Sequence, residues 1–536
     1  MNCYLCDKGI DTIDIGAHRK LIDKCAAKYL CRDCLAKTLG WDRSYLDKVI
    51  LIYRERGCLL FPPIDTESRT TNDGFEWSKE KMNDRNVMKI TPQELANLIE
   101  TISQNIFKLN QFDELPNVKY DSPNARDAYR NAANGIFEGA IRVSAENFLD
   151  CSKIKKLFKD ARSDIAKAAA LNVYKKARAM VHDTSLDPAE RDSLYNVLEE
   201  IKVECRNYGE PYDVVGTAEN PNWWIYSYEN GPMVREVAIK SKKKGMKPLE
   251  IVQFTDPHFN YCNEKDFAEA NPALMSTHQH RWWHANGDSV DVTRRSFDYA
   301  AMSDQTIVTG DILDYLSNGA QELTQKHLFW RDSDLLAAIG GHEVTRVMQG
   351  EVSDPTSKES RMEILKSFWC NDVFYESKVL GERVIVVVMD NGSSGTYSED
   401  QFNRLKTDLE YARQNDLIML IFQHEPLCTA NPAETDVPFI RPNDPHCSHN
   451  FFKDYVGGVW VRERLKHEWS MRTHDLIRQS SDVIKGVFCG HQHSDFYTEI
   501  LGMDQNGAPN QTVIPQYILT ATVYDDRGHM MKITID

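Results

Sequence analysis

Five short segments carry the residue types from which a metal centre is built. Asp256 and His258 stand two apart in Thr255-Asp256-Pro257-His258, and Gly310-Asp311-Ile312-Leu313-Asp314 holds two carboxylates. Gly340-Gly341-His342-Glu343 offers an imidazole and a carboxylate, Gln423-His424-Glu425-Pro426 another imidazole, and Gly490-His491-Gln492-His493 two more. Carboxylates and neutral imidazoles in that number suit a two-metal centre, in which an Asp can bridge while His nitrogens complete each shell. Such a centre lowers the pKa of a shared water, so that a hydroxide nucleophile is available near neutral pH. Glycine before Asp311, His342 and His491 fits turns where backbone must approach closely.

A second set of ligands opens the chain. Cys3 and Cys6, then Cys31 and Cys34, form two C-x2-C pairs, the spacing that places thiolates on tight turns around tetrahedral Zn²⁺. Cys25 and His18 are additional candidate ligands, and free cysteines in a small helical region are the plain alternative. The chain has 13 cysteines, an odd number, and those beyond Cys34 are scattered singly. That usage argues against a secreted disulfide framework and for a reducing compartment.

The ligand blocks need elements to hold them. Short apolar runs precede them: Leu249–Phe254, Thr306–Thr309, Leu335–Ile339, Leu417–Phe422 and Val483–Phe488, with Val384–Met389 between. Helical patterns alternate with these runs, which predicts an α/β domain over 221–536 whose site collects at the carboxyl ends of strands. Its start, Trp223–Tyr228 and Met233–Ile239 around Asn230-Gly231, reads as a hairpin, and Tyr517–Val523 and Met530–Ile535 read as closing strands. Residues 41–216 read as mostly helical. Thr91-Pro92-Gln93-Glu94 is a capping box, Asp187-Pro188-Ala189-Glu190 starts another helix, and Ile154 to Leu171 repeats at helical spacing. The stretch Phe61–Asn86 reads as a long loop, and residues 1–40 as a separate cysteine-rich module.

In order and spacing, the five blocks resemble the calcineurin-like metallophosphoesterase family, whose pattern is D-x-H, G-D-x-x-D, G-N-H-[DE], an isolated His and G-H-x-H. The resemblance spans about Leu249 to Ile535. It implies a layered α/β/β/α sandwich and hydrolysis of a phosphate mono- or diester by a hydroxide activated between two divalent ions (Mn, Fe or Zn). It also implies that Asp256, His258, Asp311 and His493 hold one ion and that Asp311, His424 and His491 hold the other, with Asp311 bridging. His342 would contact the phosphoryl oxygens or protonate the leaving group, oriented by Glu343. Asp314 occupies the position that is Tyr in the purple branch of the family, so no charge-transfer colour is expected. One departure stands out: Gly341 replaces the family's ligating Asn, with Asn286, Asn318 and Asn391 as candidate substitutes. The N-terminal segment, separately, resembles small zinc ribbons, which implies one structural zinc on Cys3, Cys6, Cys31 and Cys34 and an interaction role.

Composition bounds the remaining choices. The 536 residues are 41% hydrophobic and 27% charged, ample for packed cores and unlike a disordered chain. A net charge of −16 gives nucleic acid and anionic lipid no general attraction, and the lysine run at 240–247 reads as a solvated connection. No apolar run reaches the length of a membrane span, and the N-terminus lacks the apolar core of a signal peptide, so a cytoplasmic protein is expected. Its partners are then a phosphoester substrate and a protein bound through the ribbon or the helical region. His278, His280 and His284 beside Trp282 and Trp283, and His446-Cys447-Ser448-His449, read as packing or loop residues. The competing function is a binding or scaffold protein whose phosphoesterase site has degraded, and Gly341 is the feature that favours it.

Overall fold

The computed structural model describes residues 2–50 with short omissions, 90–145, 149–211, 213–216, 223–228, 231–269, 271–281, 288–344, 348–349, 352–353, 357–393, 396–427, 429, 454–456, 459–461 and 468–536. Residues 61–86, the Glu229-Asn230 turn, Trp282, Trp283, His284, Asn286 and the 446–449 histidines lie outside the described residues, as does Cys25. The chain divides into two compact units, Met1–Asn83 and Asp84–Asp536. No helix among the described residues is long and apolar enough to cross a membrane.

In the first unit, Asp11 caps helix Thr12–Leu21 in a reciprocal capping box with Asp14. Helix Arg32–Leu39 follows, and Cys3, Ala17, Leu30, Cys31 and Leu35 are buried together. Arg32 ties the two helices by ion pairs to Asp11 and Asp14.

The second unit is mixed α/β with two large sheets. The first contains β1 (Asp213–Gly216), β2 (Trp224–Ser227), β3 (Met233–Ile239), β4 (Leu249–Phe254), β5 (Gln305–Thr309) and β6 (Leu336–Ala338). The second contains β7 (Tyr375–Leu380), β8 (Val384–Met389), β9 (Ile418–Phe422), β10 (Ile484–Cys489), β11 (Phe496–Met503) and β12 (Pro509–Ile518). The last strand, β13 (His529–Ile535), returns to the first sheet between β3 and β4, giving the order β1-β2-β3-β13-β4-β5-β6. The second sheet runs β11-β12-β10-β9-β8-β7. Strands β4, β5 and β6 are mutually parallel, as are β8, β9 and β10, so each set points its carboxyl ends one way.

The near-continuous apolar runs of these strands have a physical reason: both faces are covered. Along β8, Val384, Val386 and Val388 join a buried cluster with Ile251, Ile307 and Leu336 of the first sheet. The alternate residues Ile385, Val387 and Met389 instead pack with Leu405, Leu409 and Ile477 from helices Glu399–Gln414 and Glu468–Arg478. On β4, Val252 and Phe254 pack with Leu95, Tyr174 and Phe297, from helices Pro92–Leu109, Asp164–Val181 and Asp288–Ala300. Period-two alternation thus feeds three apolar clusters from two sheets.

The capping box at Thr91 forms at the expected place, and Asp187 starts its helix as expected, accepting the N–H groups of Ala189 and Glu190. The single periodic run from Ile154 to Leu171 is instead two helices, Ser152–Asp160 and Asp164–Val181. Ser163 caps the second through Ala166 N–H, and Asn110 Oδ1 accepts the N–H groups of Arg162 and Ser163, which removes them from a continuous helix. Tyr517–Val523 also differs: β12 starts earlier and ends at Ile518, where the chain leaves to run beside Thr255.

Helix Asp164–Val181 is anchored to the first sheet by buried charge. Arg178 donates to both oxygens of Asp304 at 2.9 and 2.7 Å, and His182 Nε2 stands 3.0 Å from the same carboxylate. Arg383 donates to His182 Nδ1 at 3.0 Å, so the His182 Nε2 proton points at Asp304. Burial opposes the charge on Asp304, but Arg178 and His182 overcome it and hold the carboxyl well below its usual range. Asp304→Asn removes the charge that Arg178 and His182 share and leaves Arg178 only Glu199 as a carboxylate partner. A loss of about 3 kcal/mol, the low end for a broken buried pair, is therefore expected in urea unfolding at neutral pH. Because the folded-state pKa is depressed, this contribution is complete above the ordinary aspartate value of 3.8 and is lost as pH falls below it. The difference between wild type and variant should therefore shrink on acidification.

Candidate metal centre

The five ligand blocks meet where the two sets of parallel strands end. Asp256 N–H donates to Gly310 O, Gly490 N–H to His424 O, and Thr522 N–H to Thr255 O, which laces the loops after β4, β5, β9, β10 and β12 together. Gln253, on β4, reaches across to the Cys489 carbonyl of the second sheet at 3.1 Å.

Close approach explains the glycines. A Cβ on Gly310 would lie 2.7 Å from His424 Nδ1, one on Gly490 would lie 1.9 Å from Thr255 Oγ1, and one on Gly340 would lie 2.2 Å from Asp311 Oδ1. Gly310 also has φ +88°, open to glycine at little cost. Five ligand-type residues take left-handed backbone as well: Asp256 (53°), His258 (46°), Asp311 (48°), His491 (72°) and His493 (53°). They make up more than half of the nine described non-glycine residues with positive φ. Backbone of that kind is strained outside glycine and persists where surrounding structure over-determines it, commonly at functional sites.

Among the described residues of the second unit, the ligand-type side chains form three overlapping or adjacent groups in which the ligand atoms lie within 4.8 Å of one another. These are Asp256 with His258 and His493, Asp311 with His424 and His491, and His258 with Asp314 and His342; the first two are the triads that match the expected ligands. Asp311 stands in the second triad, so the four-residue set expected around the first ion appears here as three close side chains. Asp256, Asp311, His258 and His424 are buried, whereas the side chains of His342 and His493 keep 33% and 35% of their exposure and form the open rim. In the first triad His258 Nε2 is 3.0 Å from His493 Nε2, which is 3.2 Å from Asp256 Oδ1. In the second, His424 Nε2 is 3.1 Å from both His491 Nδ1 and Asp311 Oδ2.

These contacts test whether the residues fit metal ions. His424 Nδ1 stands 2.8 Å from the Thr309 carbonyl, which holds a proton on that nitrogen and turns the Nε2 lone pair toward Asp311 and His491. His258 Nδ1 is held likewise by Asp314 at 3.2 Å, which aims Nε2 at His493. Each triad therefore presents two imidazole nitrogens and a carboxylate oxygen to one point, a donor set that only a proton or a cation satisfies. With protons alone, burial opposes charge on His258 and His424, yet the neighbouring carboxylates lift both to about 10. Burial together with His424 drives His491 down to about 3. The donor set fits divalent cations.

Glu343 makes other contacts than the one expected of it, and Asp314 stands in its place beside His342. The Glu343 carboxylate, wholly buried, accepts four backbone N–H groups, from Asp311, Ile312, Leu313 and Gly340. Burial and the Asp311 charge push it up to about 7 against the pull of those donors. It clamps the loop that carries Asp311. The His342 ring is oriented by Asp314 instead, with Nδ1 2.8 Å from its carbonyl oxygen and 3.3 Å from Oδ1. Asp314 thus faces both His258 and His342, a double role that no local pattern announces.

Several candidates find other employment. Asn391 bridges both backbone groups of Glu425, and Asn318 donates to Asp266. Neither amide is presented by those bonds as a replacement for the Asn absent at Gly341. His278 lies on helix Pro272–Arg281 and contacts Tyr315.

In the first unit the sulfurs of Cys3, Cys6, Cys31 and Cys34 lie within 4.8 Å of one another, with Cys6 and Cys31 3.6 Å apart. Burial pushes Cys3 up, but the N–H groups of Cys31, Leu5 and Cys6 outweigh it and bring the thiol down to about 6. Cys34, hydrogen-bonded to Cys6, is pushed up to about 12. Four converging sulfurs fit a tetrahedral cation. His18 stands apart from them: it is buried between Tyr4 and Tyr29, and its Nδ1 accepts the Leu30 N–H.

No protein-family model and no curated protein matches the chain. Among solved structures, it is similar to a dimetal phosphatase from Danio rerio, at 11% identity over 53% of this chain and 91% of that one, with a TM-score of 0.30. It is also similar to a purple acid phosphatase from yellow lupin seeds, at 13% identity over 59% of each chain and a TM-score of 0.31. A third similar structure is a putative 5'-nucleotidase from Staphylococcus aureus, at 12% identity over 54% of each chain and a TM-score of 0.25.

Proposed function

We propose that the chain is a metal-dependent phosphoesterase of the calcineurin-like type, built as a layered α/β/β/α sandwich, with a zinc-ribbon module at its N-terminus. The observation that carries the reading is the pair of His/His/Asp donor sets, joined by the His491 N–H to Asp256 bond, with the partly exposed His342 beside them. Asp256, His258 and His493 would hold one divalent ion, and Asp311, His424 and His491 the other, with Asp311 as the carboxylate between them. Two such ions supply Lewis-acid stabilisation of phosphoryl oxygens and a nucleophile at neutral pH. The protein's own part is then one of placement. Asp314 holds the His342 ring through Nδ1, which leaves Nε2 4.0 Å from Asp311 Oδ2, where it can donate a proton to the ester oxygen that leaves. Glu343 keeps the Asp311 loop from relaxing, and the burial of Asp256 and Asp311 excludes water that would screen their charge. A phosphate mono- or diester is the substrate class.

Asp311→Asn tests the reading. The amide oxygen still accepts the His342 N–H, now 2.8 Å away, so the fold should survive, while the charge shared by the two cations is gone. Hydrolysis should fall by far more than tenfold; a variant retaining over about a tenth of kcat, ~1.4 kcal/mol of barrier, would sink the assignment.

Gly341 supports a second reading, a scaffold with a degraded site, and decides a second experiment. With no side chain at that position, the Asp311–His424–His491 set should hold its ion the more loosely, and activity should rise with added Mn²⁺. Gly341→Asn should lower the Mn²⁺ concentration for half-maximal rate. An unchanged midpoint would mean that another group already fills the position.

For the ribbon, Cys31→Ser should release about one equivalent of zinc and unfold the cysteine module, since structural zinc supplies folding energy directly. Elemental analysis of the purified variant reads the loss, and hydrolysis by the second unit should be retained.

A further inference from the structure

Helix Pro272–Arg281 sits in the insertion between the first two ligand blocks, and a chain of hydrogen bonds leads from it into the site. His278 Nδ1 stands 2.6 Å from the Tyr315 hydroxyl, and Tyr315 donates to Asn260 Oδ1 at 2.7 Å. Asn260 Nδ2 donates to Asp314 Oδ2 at 3.0 Å, and Asp314 Oδ1 faces His258 Nδ1 at 3.2 Å and His342 Nδ1 at 3.3 Å. Tyr315, Asn260 and Asp314 are all buried, and the Tyr315 ring packs with Ala273 and Leu274 of the same helix.

Chemistry fixes the direction of every bond in this chain. The Asp314 carboxylate only accepts, so Asn260 turns its amide nitrogen there and its carbonyl oxygen toward Tyr315. That carbonyl also only accepts, so the single hydroxyl proton of Tyr315 is committed to it. The phenol oxygen is then an acceptor toward helix Pro272–Arg281, and His278 must carry its proton on Nδ1. Cys262 Sγ, 3.7 Å from the same oxygen, is left as its second donor. A polar chain of this kind runs one way only.

We propose that His278, Tyr315 and Asn260 are positioning residues that fix the Asp314 carboxylate, and through it the rings of His258 and His342. Docking of helix Pro272–Arg281 is then part of the assembly of the metal centre. This rests on the reading of His258 as a ligand and His342 as the rim proton donor, but its first readout needs neither metal nor substrate.

The test uses the full chain labelled with ¹⁵N in its histidines. In the metal-free protein, long-range ¹H–¹⁵N spectra should show His278 as a neutral ring protonated on Nδ1. Tyr315→Phe keeps the ring in its apolar packing and removes only the hydroxyl; it should abolish that tautomer and shift the His258 and His342 signals. Calorimetric Mn²⁺ affinity should fall about tenfold, the usual effect of losing an outer hydrogen-bond partner of a ligand. His278→Asn keeps an N–H near the Nδ1 position and should retain affinity, whereas His278→Leu should match Tyr315→Phe. Unaltered histidine spectra and Mn²⁺ affinity in Tyr315→Phe, or equal behaviour of His278→Asn and His278→Leu, would overturn the relay. A wild type that binds no Mn²⁺ and cleaves no phosphoester would overturn the functional reading, while the tautomer spectra would still decide the relay.

Discussion

Two pairs of imidazole nitrogens, 3.0 and 3.1 Å apart and flanked by buried carboxylates, are each held nitrogen to nitrogen, with His258 and His424 buried and His493 at the open rim. Lone pairs so placed repel unless a proton or cation lies between them, and the burial of His258 and His424 limits the water that could relieve the repulsion. The surrounding architecture is what keeps them there. Asp256 and Asp311 are held well below the ordinary carboxylate range despite burial, by the histidines opposite. The same arrangement that is uncomfortable with protons becomes complementary with divalent ions, and that is the physical basis for treating it as a metal centre.

Holding such a set needs a rigid frame, and the frame is backbone. Each ligand-type residue follows a strand that is buried or nearly so along its length, so the ends cannot drift apart without opening apolar clusters. Left-handed residues turn the side chains inward, glycines at 310, 340 and 490 let the loops touch, and Glu343 gathers four backbone donors beneath Asp311. The helix Asp164–Val181 of the second unit shares this frame. Tyr174 and Lys175 donate to the carbonyls of Met302 and Ser303, immediately before β5, and Arg178 grips Asp304. A segment that carries no ligand thereby supports the strand that delivers Asp311.

The cysteine cluster of the first unit is governed by a different balance. Its four sulfurs come from two short knuckles, and its apolar core is small, with Cys3 and Cys31 counted within it. A unit of that size has little burial with which to fold, so a tightly bound cation would contribute a large share of its stability. In the second unit folding energy comes from three large apolar clusters, and cations would add chemistry more than cohesion.

The residue types at the site were legible because metal chemistry restricts them to a few letters, and because each block follows an apolar run that a two-sided sheet requires. Strand identity was legible for the same reason, at Leu249–Phe254 and Val384–Met389 to the residue. The break at Ser163 was not, since it depends on Asn110, more than fifty positions away, taking the N–H groups of Arg162 and Ser163. Nor were the partners within the site. Sequence placed Glu343 beside His342 as neighbours in the chain, but the fold gave Glu343 to the 310–313 loop and His342 to Asp314. Asn260, Tyr315 and His278 carry no pattern that links them, and only the packing of one helix against the loop after β5 brings their polar atoms into line. Sequence by itself determined which atoms could bind metal and which strands would carry them, because both follow from local chemistry and local periodicity. Tertiary structure decided which proton each imidazole keeps, because that depends on the acceptor facing its other nitrogen, and that acceptor comes from a distant part of the chain.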